Sequence, residues 1–259
     1  MSTATLDNPS LDISGTQPDP LSRLVRVELR KLADTRASRW LLIAIVAITA
    51  LIIVIFFLNA DPSERTFINF MGVTATPQGF LLPVLGILLV TGEWSQRTAL
   101  VTFTMVPARG KVMAAKVAAA LLAGLAAIVV ALGIAALATV LGGAANAWAN
   151  IGLDDVAKFG LLQVMGVMQG LALGLLFLIS AAAIVTYFVL PIAFSIVTSI
   201  WTALADVQPW VDLGTSQTPL FSGDAMTGEE WAQLATGTLI WVVLPFAVGL
   251  WRVLRAELK

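Results

Sequence analysis

This chain of 259 residues contains no cysteine and no histidine. Without cysteine it has no disulfide framework and no thiolate metal site. Without histidine it lacks the commonest general base and metal ligand. Charge is scarce too, since Asp, Glu, Lys and Arg make up only 12% of the residues, about half of the usual share in soluble proteins. Because 58% of the residues are hydrophobic, we expect an all-α integral membrane protein rather than a soluble domain.

The few charges are grouped by sign between long apolar stretches. Of the 15 Lys and Arg residues, 13 fall in three clusters: Arg23, Arg26, Arg30, Lys31, Arg36 and Arg39; Arg97, Arg109, Lys111 and Lys116; Arg252, Arg255 and Lys259. The remaining loops are mostly acidic, with Asp61 and Glu64; Asp154 and Asp155; and Asp206, Asp212, Asp224, Glu229 and Glu230. This alternation follows the positive-inside rule for multi-pass membrane proteins. We therefore expect a plasma (inner) membrane protein with both termini cytoplasmic and an even number of spans.

The apolar stretches predict six spans. A helix needs about 20 apolar residues to cross the hydrocarbon core. Residues 159–205 carry no charge and would form one helix of about 70 Å, so we expect two spans there. We place the break near Thr186–Pro191, because proline disfavours helical geometry in the residue before it. The predicted spans are 40–58, 77–92 (with Phe67 as an alternative start), 114–141, 159–184, 187–205 and 234–253.

The residues before the first span divide into two parts. Residues 1–20 are polar and contain proline, which predicts a disordered cytoplasmic tail rather than a cleaved signal. Residues 21–38 predict an amphipathic helix at the membrane surface, with apolar residues and Glu28 near one face. The basic residues that we assign to this interfacial helix are Arg23, Arg26, Arg30 and Lys31.

Small residues recur at four-residue intervals in two predicted spans. Gly166, Gly170 and Gly174 form one series, and Ala123, Ala127, Ala131 and Ala135 form the other. Small residues on one helical face let backbones approach closely in lipid. Two interpretations remain open: packing within one subunit, or contact with a second copy of the chain.

The spans are poor in reactive groups. Spans one and three to five contain no Asp, Glu, Lys, Arg or His between their ends, whereas intramembrane enzymes and proton-coupled transporters depend on such groups. A P-loop is also missing, because Gly110-Lys111 lacks both the upstream glycine and the following hydroxyl. We therefore expect no catalytic, cofactor or metal site in this chain. If it moves a substrate uphill, the energy must come from a partner.

The segment from Gly92 to Lys116, GEWSQRTALVTFTMVPARGKVMAAK, predicts a short surface helix followed by a turn at Pro107 and Gly110. Its basic residues suit anionic lipid headgroups. Together with RVELRKLADTRASRWLL (26–42) and GLWRVLRAELK (249–259), it resembles permease subunits of the ABC-2 class of ATP-binding-cassette transporters. In that family a Glu, a Thr, Pro-x-Arg and a Lys recur, here Glu93, Thr98, Pro107, Arg109 and Lys116. Trp94 stands where the family usually carries Arg or Tyr.

The resemblance implies a six-span permease domain of the type V exporter kind over residues 21–259. Two copies, identical or similar, would associate with cytoplasmic ATPase subunits that bind ATP and Mg, with membrane lipid and with an exported substrate, but not with nucleic acid. The segment 206–233 would lie outside and contain short re-entrant helices. The coupling loop to the ATPase would include Glu93, Trp94, Arg97, Thr98, Pro107, Arg109, Lys111 and Lys116.

Two other classes of function stay open on the sequence. One is a stand-alone secondary transporter driven by an ion gradient, which the lack of ionisable residues in the spans disfavours. The other is a membrane scaffold or immunity protein that sequesters a ligand without a transport cycle. An enzyme is the least supported class, because no nucleophile, base or metal set can be assembled from these residues.

Overall fold

A computed structural model describes residues 19–149, 151–201, 204–221 and 225–255, and they contain helices and loops but no strand. Six helical segments are long and apolar enough to cross a membrane, which confirms the prediction of an all-helical chain with six spans. The helices are α1 (Leu21–Asp34), α2 (Arg36–Asn59), α3 (Phe67–Ser95), α4 (Ala99–Met105), α5 (Arg109–Gly142), α6 (Leu153–Phe177), α7 (Ser180–Ile200), α8 (Gln208–Val211), α9 (Leu213–Gln217), α10 (Gly228–Thr238) and α11 (Leu244–Arg255).

Several bounds differ from the predicted ones. The second span is α3, which begins at Phe67, and both Pro77 and Pro83 lie inside it, so the range 77–92 was too short. The amphipathic helix α1 ends at Asp34 because Thr35 is extended, with φ −74° and ψ 134°. A π-helical turn, Leu239–Val243, joins α10 to α11 and completes the sixth span. The tail predicted over residues 1–20 lies outside the described residues apart from its last two positions.

The break between the fourth and fifth spans lies at Leu178–Ile179, so the predicted break near Thr186–Pro191 and the ranges 159–184 and 187–205 are wrong there. Leu178 is left-handed, with φ 57°, and its N–H donates to the Gly174 carbonyl at 2.9 Å. A left-handed residue cannot continue a right-handed helix. Pro191 lies within α7, because membrane helices tolerate a proline when neighbouring groups satisfy the freed backbone.

Tyr187 in α7 compensates for a proline of another span. Pro83 has no N–H to donate to the Gly79 carbonyl one turn earlier in α3. The Tyr187 hydroxyl donates to that carbonyl, with an O···O distance of 2.7 Å. Thr91 and Ser180 form a second hydrogen bond between the same two helices, at 2.6 Å. These bonds attach α7 to α3, although much of the α7 surface is exposed.

The bundle is centred on α3 and α6. In each of them, 61% of the most apolar stretch is buried, against 17% in α2. Their backbones touch at glycines: a Cβ on Gly170 would collide with the Pro83 carbonyl, and one on Gly86 would lie 2.5 Å from the Val167 carbonyl. Gly174 and Gly166 also face α3, with their Cβ positions 3.2 Å from Ile87 and 3.4 Å from Pro83. The glycine series therefore packs within the subunit, as one of the two interpretations held.

Two glutamines fill the polar interior of the bundle. Gln163 Nε2 in α6 donates to Gln78 Oε1 in α3 at 2.7 Å, and Gln78 Nε2 donates to the Ala127 carbonyl in α5 at 3.2 Å. Both side chains are buried. Buried amides are costly without partners, so this chain of hydrogen bonds fixes how α3, α5 and α6 meet.

The two ends of the bundle are built differently. At one end, the predicted acidic segment forms α8, α9 and a 3-10 turn, which insert Leu213 and Leu220 into the core. Trp241 Nε1 fastens this hairpin by donating to the Val211 carbonyl at 2.6 Å. At the other end, Arg109 at the start of α5 donates to the Val253 carbonyl in α11 at 3.1 Å. The helices α1 and α4 pack at this second end.

Replacing Gly170 by alanine tests the contact between α3 and α6. The new Cβ would push against the Pro83 carbonyl, so we expect a loss of about 1–3 kcal/mol of stability, measured as a lower thermal unfolding midpoint in detergent. Gly160→Ala on the same helix is the matched control, because a Cβ there has nothing within 4 Å. Equal midpoints for the two variants would contradict the close contact.

Candidate functional site

Four charged side chains from three helices meet at the end of the bundle where α4 follows α3. We call Glu28, Lys31, Glu93 and Lys116 the ionic cluster. Lys116 is only 1% exposed, Glu28 3% and Glu93 5%. Charged side chains are almost never buried this deeply unless they are paired, and here two carboxylates face two ammonium groups.

Lys116 lies at the centre of the ionic cluster. Its Nζ is 2.7 Å from Glu28 Oε2, 3.3 Å from Glu93 Oε1 and 3.2 Å from the Leu89 carbonyl. An ammonium group has three donors, so these three acceptors match its capacity. The side chain of Lys116 thereby joins α5 to both α1 and α3.

Lys31 closes the cluster from its outer side. Its Nζ is 2.7 Å from Glu28 Oε1 and 2.6 Å from Glu93 Oε1. Partial burial acts to lower the pKa of Lys31, but hydrogen bonds and attraction from Glu28 and Glu93 outweigh it and hold the pKa above its ordinary value of 10.5. Lys31 is therefore protonated at physiological pH. Its contribution to stability is present below the ordinary pKa and lost only as the pH rises through the raised one.

The local sequence explains how these groups reach one point. Glu28 and Lys31 are three residues apart in α1 and so share a face, on which Leu32 is also buried. Glu93 lies in the last turn of α3. Lys116 lies two turns into α5. The two spans α3 and α5 therefore contribute their ends to the cluster, whereas α1 contributes its middle and its last turn.

The short helix α4 is attached to the same carboxylate. Thr102 Oγ1 donates to Glu93 Oε1 at 3.1 Å, and the N–H of Thr98 donates to the Glu93 backbone carbonyl at 2.8 Å. Glu93 thus connects α4 with α1, α3 and α5. Its second oxygen, Oε2, is buried and has no hydrogen-bonding partner among the described residues.

Aromatic contacts hold α4 on its inner side. Phe103 is 5% exposed, with its ring 6.2 Å from that of Trp94 in an edge-on arrangement. The Arg109 guanidinium lies over the Phe103 ring at 5.4 Å. A cation over an aromatic face is attracted by the ring quadrupole. Trp94, which departs from the resembled pattern, therefore packs against α4.

The outer side of α4 is apolar and exposed. Leu100 is 51% exposed, Val101 57% and Met105 77%, and we call these three residues the α4 outer face. A cleft of about 880 Å³ lies between α4, α1 and the end of α3. Members of the ionic cluster form its floor, and Val101 lies along its rim. This end of the molecule therefore offers a recess beside an apolar ridge.

The predicted coupling residues divide into two groups. Glu93, Trp94, Arg109 and Lys116 are internal or half-buried, whereas the exposed ones are Arg97, Thr98, Pro107 and Lys111. On α1, Arg23, Arg26 and Arg30 are exposed as expected, but Lys31 turns inward to the ionic cluster. Sequence reasoning missed Thr102 and the role of Glu28. An acidic residue on the apolar face of an amphipathic helix was the signal that could have identified Glu28.

The ionic cluster joins α1, α3 and α5 through paired charges. Each carboxylate is neutralised by two ammonium groups, so neither is an available base. Within the described ranges, no group of three or more His, Cys, Asp or Glu side chains could hold a metal ion. No protein-family model matches this chain, and no curated protein matches it.

Replacing Lys116 by methionine tests the ionic cluster. The variant leaves Lys31 as the one cation of the ionic cluster that Glu28 and Glu93 share, and breaking a buried ion pair costs about 3–5 kcal/mol. We expect a clearly lower thermal unfolding midpoint and less monodisperse protein on size exclusion. Lys111→Met is the matched control, since the Lys111 side chain is exposed on the same helix.

A double-mutant cycle with Glu28→Gln and Lys116→Met then measures the coupling between α1 and α5. Because the two groups touch, we expect the combined loss to be smaller than the sum of the single losses. Strict additivity would show that the contact contributes nothing to stability.

Proposed function

We propose that this chain is the permease subunit of an ABC-2 type ATP-binding-cassette exporter and that the ionic cluster couples it to a separate cytoplasmic ATPase. The observation that carries the proposal is that one buried carboxylate, Glu93, contacts Lys116 in α5, Lys31 in α1 and Thr102 in α4. A force applied to the surface helix α4 would therefore be passed directly to the end of the span α3, to the start of the span α5 and to the amphipathic helix α1.

The α4 outer face is the proposed contact with the ATPase. The exposed apolar side chains of α4 lie beside a cleft with a charged floor. Such a surface suits a protein partner whose contact patch has an apolar centre and a polar rim. In this scheme Glu93 is not itself the contact surface, because it is buried. ATP and Mg would be bound by the partner, and closure of its two subunits would bring the α4 helices of two permease copies together.

The side chains buried inside the spans favour an energy source outside this chain. Apart from Glu93, Lys116 and Lys158, which lie within two turns of the helix ends, the described polar side chains that are buried in the spans are neutral. Examples are Gln78, Gln163 and Thr139. Proton-coupled transport depends on ionisable groups at such depth. A gradient-driven transporter is therefore less well supported than one driven by a partner's ATP hydrolysis.

The orientation follows from where the basic residues gather. Contacts of Arg109 with Val253 and of Lys116 with Glu28 bring α1, α4 and the end of α11 to one end of the bundle. By the positive-inside rule this end is cytoplasmic. Both termini would then be cytoplasmic in the plasma (inner) membrane, and the exposed basic residues of α1 would face anionic lipid headgroups.

Affinity purification from native membranes tests the partner. The tagged chain would be extracted in mild detergent and the co-purifying proteins identified by mass spectrometry. We expect a P-loop ATPase in near-stoichiometric amount. Reproducible absence of any ATPase, with the chain intact and monodisperse, would move the proposal to a stand-alone transporter or a scaffold.

Met105→Glu tests the docking surface. A charge at the centre of an apolar contact is costly to bury, so we expect roughly a tenfold or greater loss of co-purified ATPase, while expression and unfolding midpoint stay unchanged. Val207→Glu is the control, because Val207 is 47% exposed next to α8 at the opposite end of the bundle. If both variants retain the ATPase equally, α4 is not the docking surface.

A further inference from the structure

A second cavity lies away from the ionic cluster, between the middle of the bundle and the segment that contains α9. It measures about 360 Å³ and is enclosed by α3, α6, α7, α9 and the π-helical turn of the sixth span. This volume is in the range of pockets that hold small organic molecules. No residue of the ionic cluster lines it, so it is a separate site.

Aromatic rings form much of its wall. Phe80 of α3 and Phe188 of α7 have ring centroids 5.9 Å apart, and Tyr187 lies edge-on to Phe188 at 5.0 Å. Trp241 borders the cavity from the sixth span. Aromatic faces attract both flat apolar groups and organic cations. The wall is also partly open, since Phe80 is 52% exposed.

Three polar side chains at the cavity lack hydrogen-bonding partners among the described residues. Gln169, Thr186 and Gln217 line it, and none of their side chains takes part in a hydrogen bond within the described part of the chain. Gln78 and Gln163 in the neighbouring interior are bonded to each other. All three side chains at the cavity are half-buried, so their polar groups are free to bond to a ligand. A few polar groups around a largely apolar cavity can orient a bound molecule.

Among the described residues that line the cavity, Asp212 is the one with a charged side chain. Its Oδ2 accepts from the Thr215 N–H at 3.0 Å and from Thr215 Oγ1 at 2.6 Å, and no hydrogen bond from the described residues reaches Oδ1. The described lining contains no Lys or Arg that would neutralise the carboxylate. The local field therefore favours a positive ligand.

We propose that this cavity binds an apolar organic molecule with aromatic rings and a single positive charge. Its rings would lie against Phe80, Phe188 and Trp241, and its charge would face Asp212. Binding at this site requires no ATPase, so the inference stands apart from the proposed export function. If that function holds as well, lipophilic monocations are the substrate class that the site indicates.

Tetraphenylphosphonium and tetraphenylborate make the sharpest probes, because they share size and shape but carry opposite charges. The full chain would be placed in nanodiscs of neutral phosphatidylcholine without any ATPase, and binding would be measured by equilibrium dialysis against empty nanodiscs. We expect saturable binding of the phosphonium in excess of its uptake by empty nanodiscs. For the borate, we expect the corresponding excess binding to be at least about tenfold weaker.

The variant Asp212→Asn tests how much the negative charge of Asp212 contributes to binding. Asparagine retains a capping oxygen for the Thr215 N–H, so we expect normal folding, about tenfold weaker binding of the phosphonium and a smaller difference between the probes. Asp206→Asn removes a charge from the same segment at an exposed position outside the cavity and is expected to change nothing. Phe80→Ala should weaken both probes, because it removes one aromatic wall.

Two results would overturn the inference. Uptake of the phosphonium equal to that of empty nanodiscs would show that the cavity is no ligand site. Saturable binding unaffected by Asp212→Asn and Phe80→Ala would place the bound probe elsewhere. Since none of these measurements includes the ATPase, failure here leaves the coupling proposal intact, and failure of the ATPase to co-purify leaves this site intact.

Discussion

The buried contact between Lys116, Glu28 and Glu93 is the constraint on which one end of this molecule depends. Removing these charges from water costs several kcal/mol for each ion, and the cost is offset only when the geometry of all partners is complete. Lys116 Nζ meets Glu28 at 2.7 Å and Glu93 at 3.3 Å. The helices α1, α3 and α5 can therefore shift only together, and Thr102 attaches α4 to the same unit.

In the described part of the chain, the interior of the bundle is held together by neutral contacts and not by ion pairs. It contains neutral hydrogen bonds, such as Gln163 to Gln78 at 2.7 Å and Tyr187 to Gly79 at 2.7 Å. These bonds satisfy polar groups that lipid would leave unpaired, but they carry no net charge that a change of pH would alter. The central pair α3 and α6 is held by close backbone contact at glycines. The spans are thus rigid at α3 and α6, while α7 has few attachments.

One helix joins the two proposed sites. The ionic cluster uses Glu93 at the end of α3, and the aromatic cavity uses Phe80, 13 residues earlier in the same helix. Between them, Pro83 and Gly86 contact α6. A movement of α3 at the ionic cluster would therefore be transmitted along this tightly packed helix to the cavity. Transport driven by a partner would require such a connection.

Composition and charge order were enough to determine the class of protein, the six spans and the grouping of basic residues, because hydrophobic length and charge placement depend only on transfer between water and lipid. The resemblance of residues 92–116 drew attention to Glu93 and Lys116, whose side chains lie 3.3 Å apart in the structure. The sequence did not indicate that Glu28 and Lys31 join them, since these residues come together only when α1 folds onto α5. The break at Leu178 and the unpaired groups around Asp212 were likewise decided by tertiary structure, because both depend on which neighbours are within hydrogen-bonding reach, and spacing along a helix does not specify neighbours from other helices.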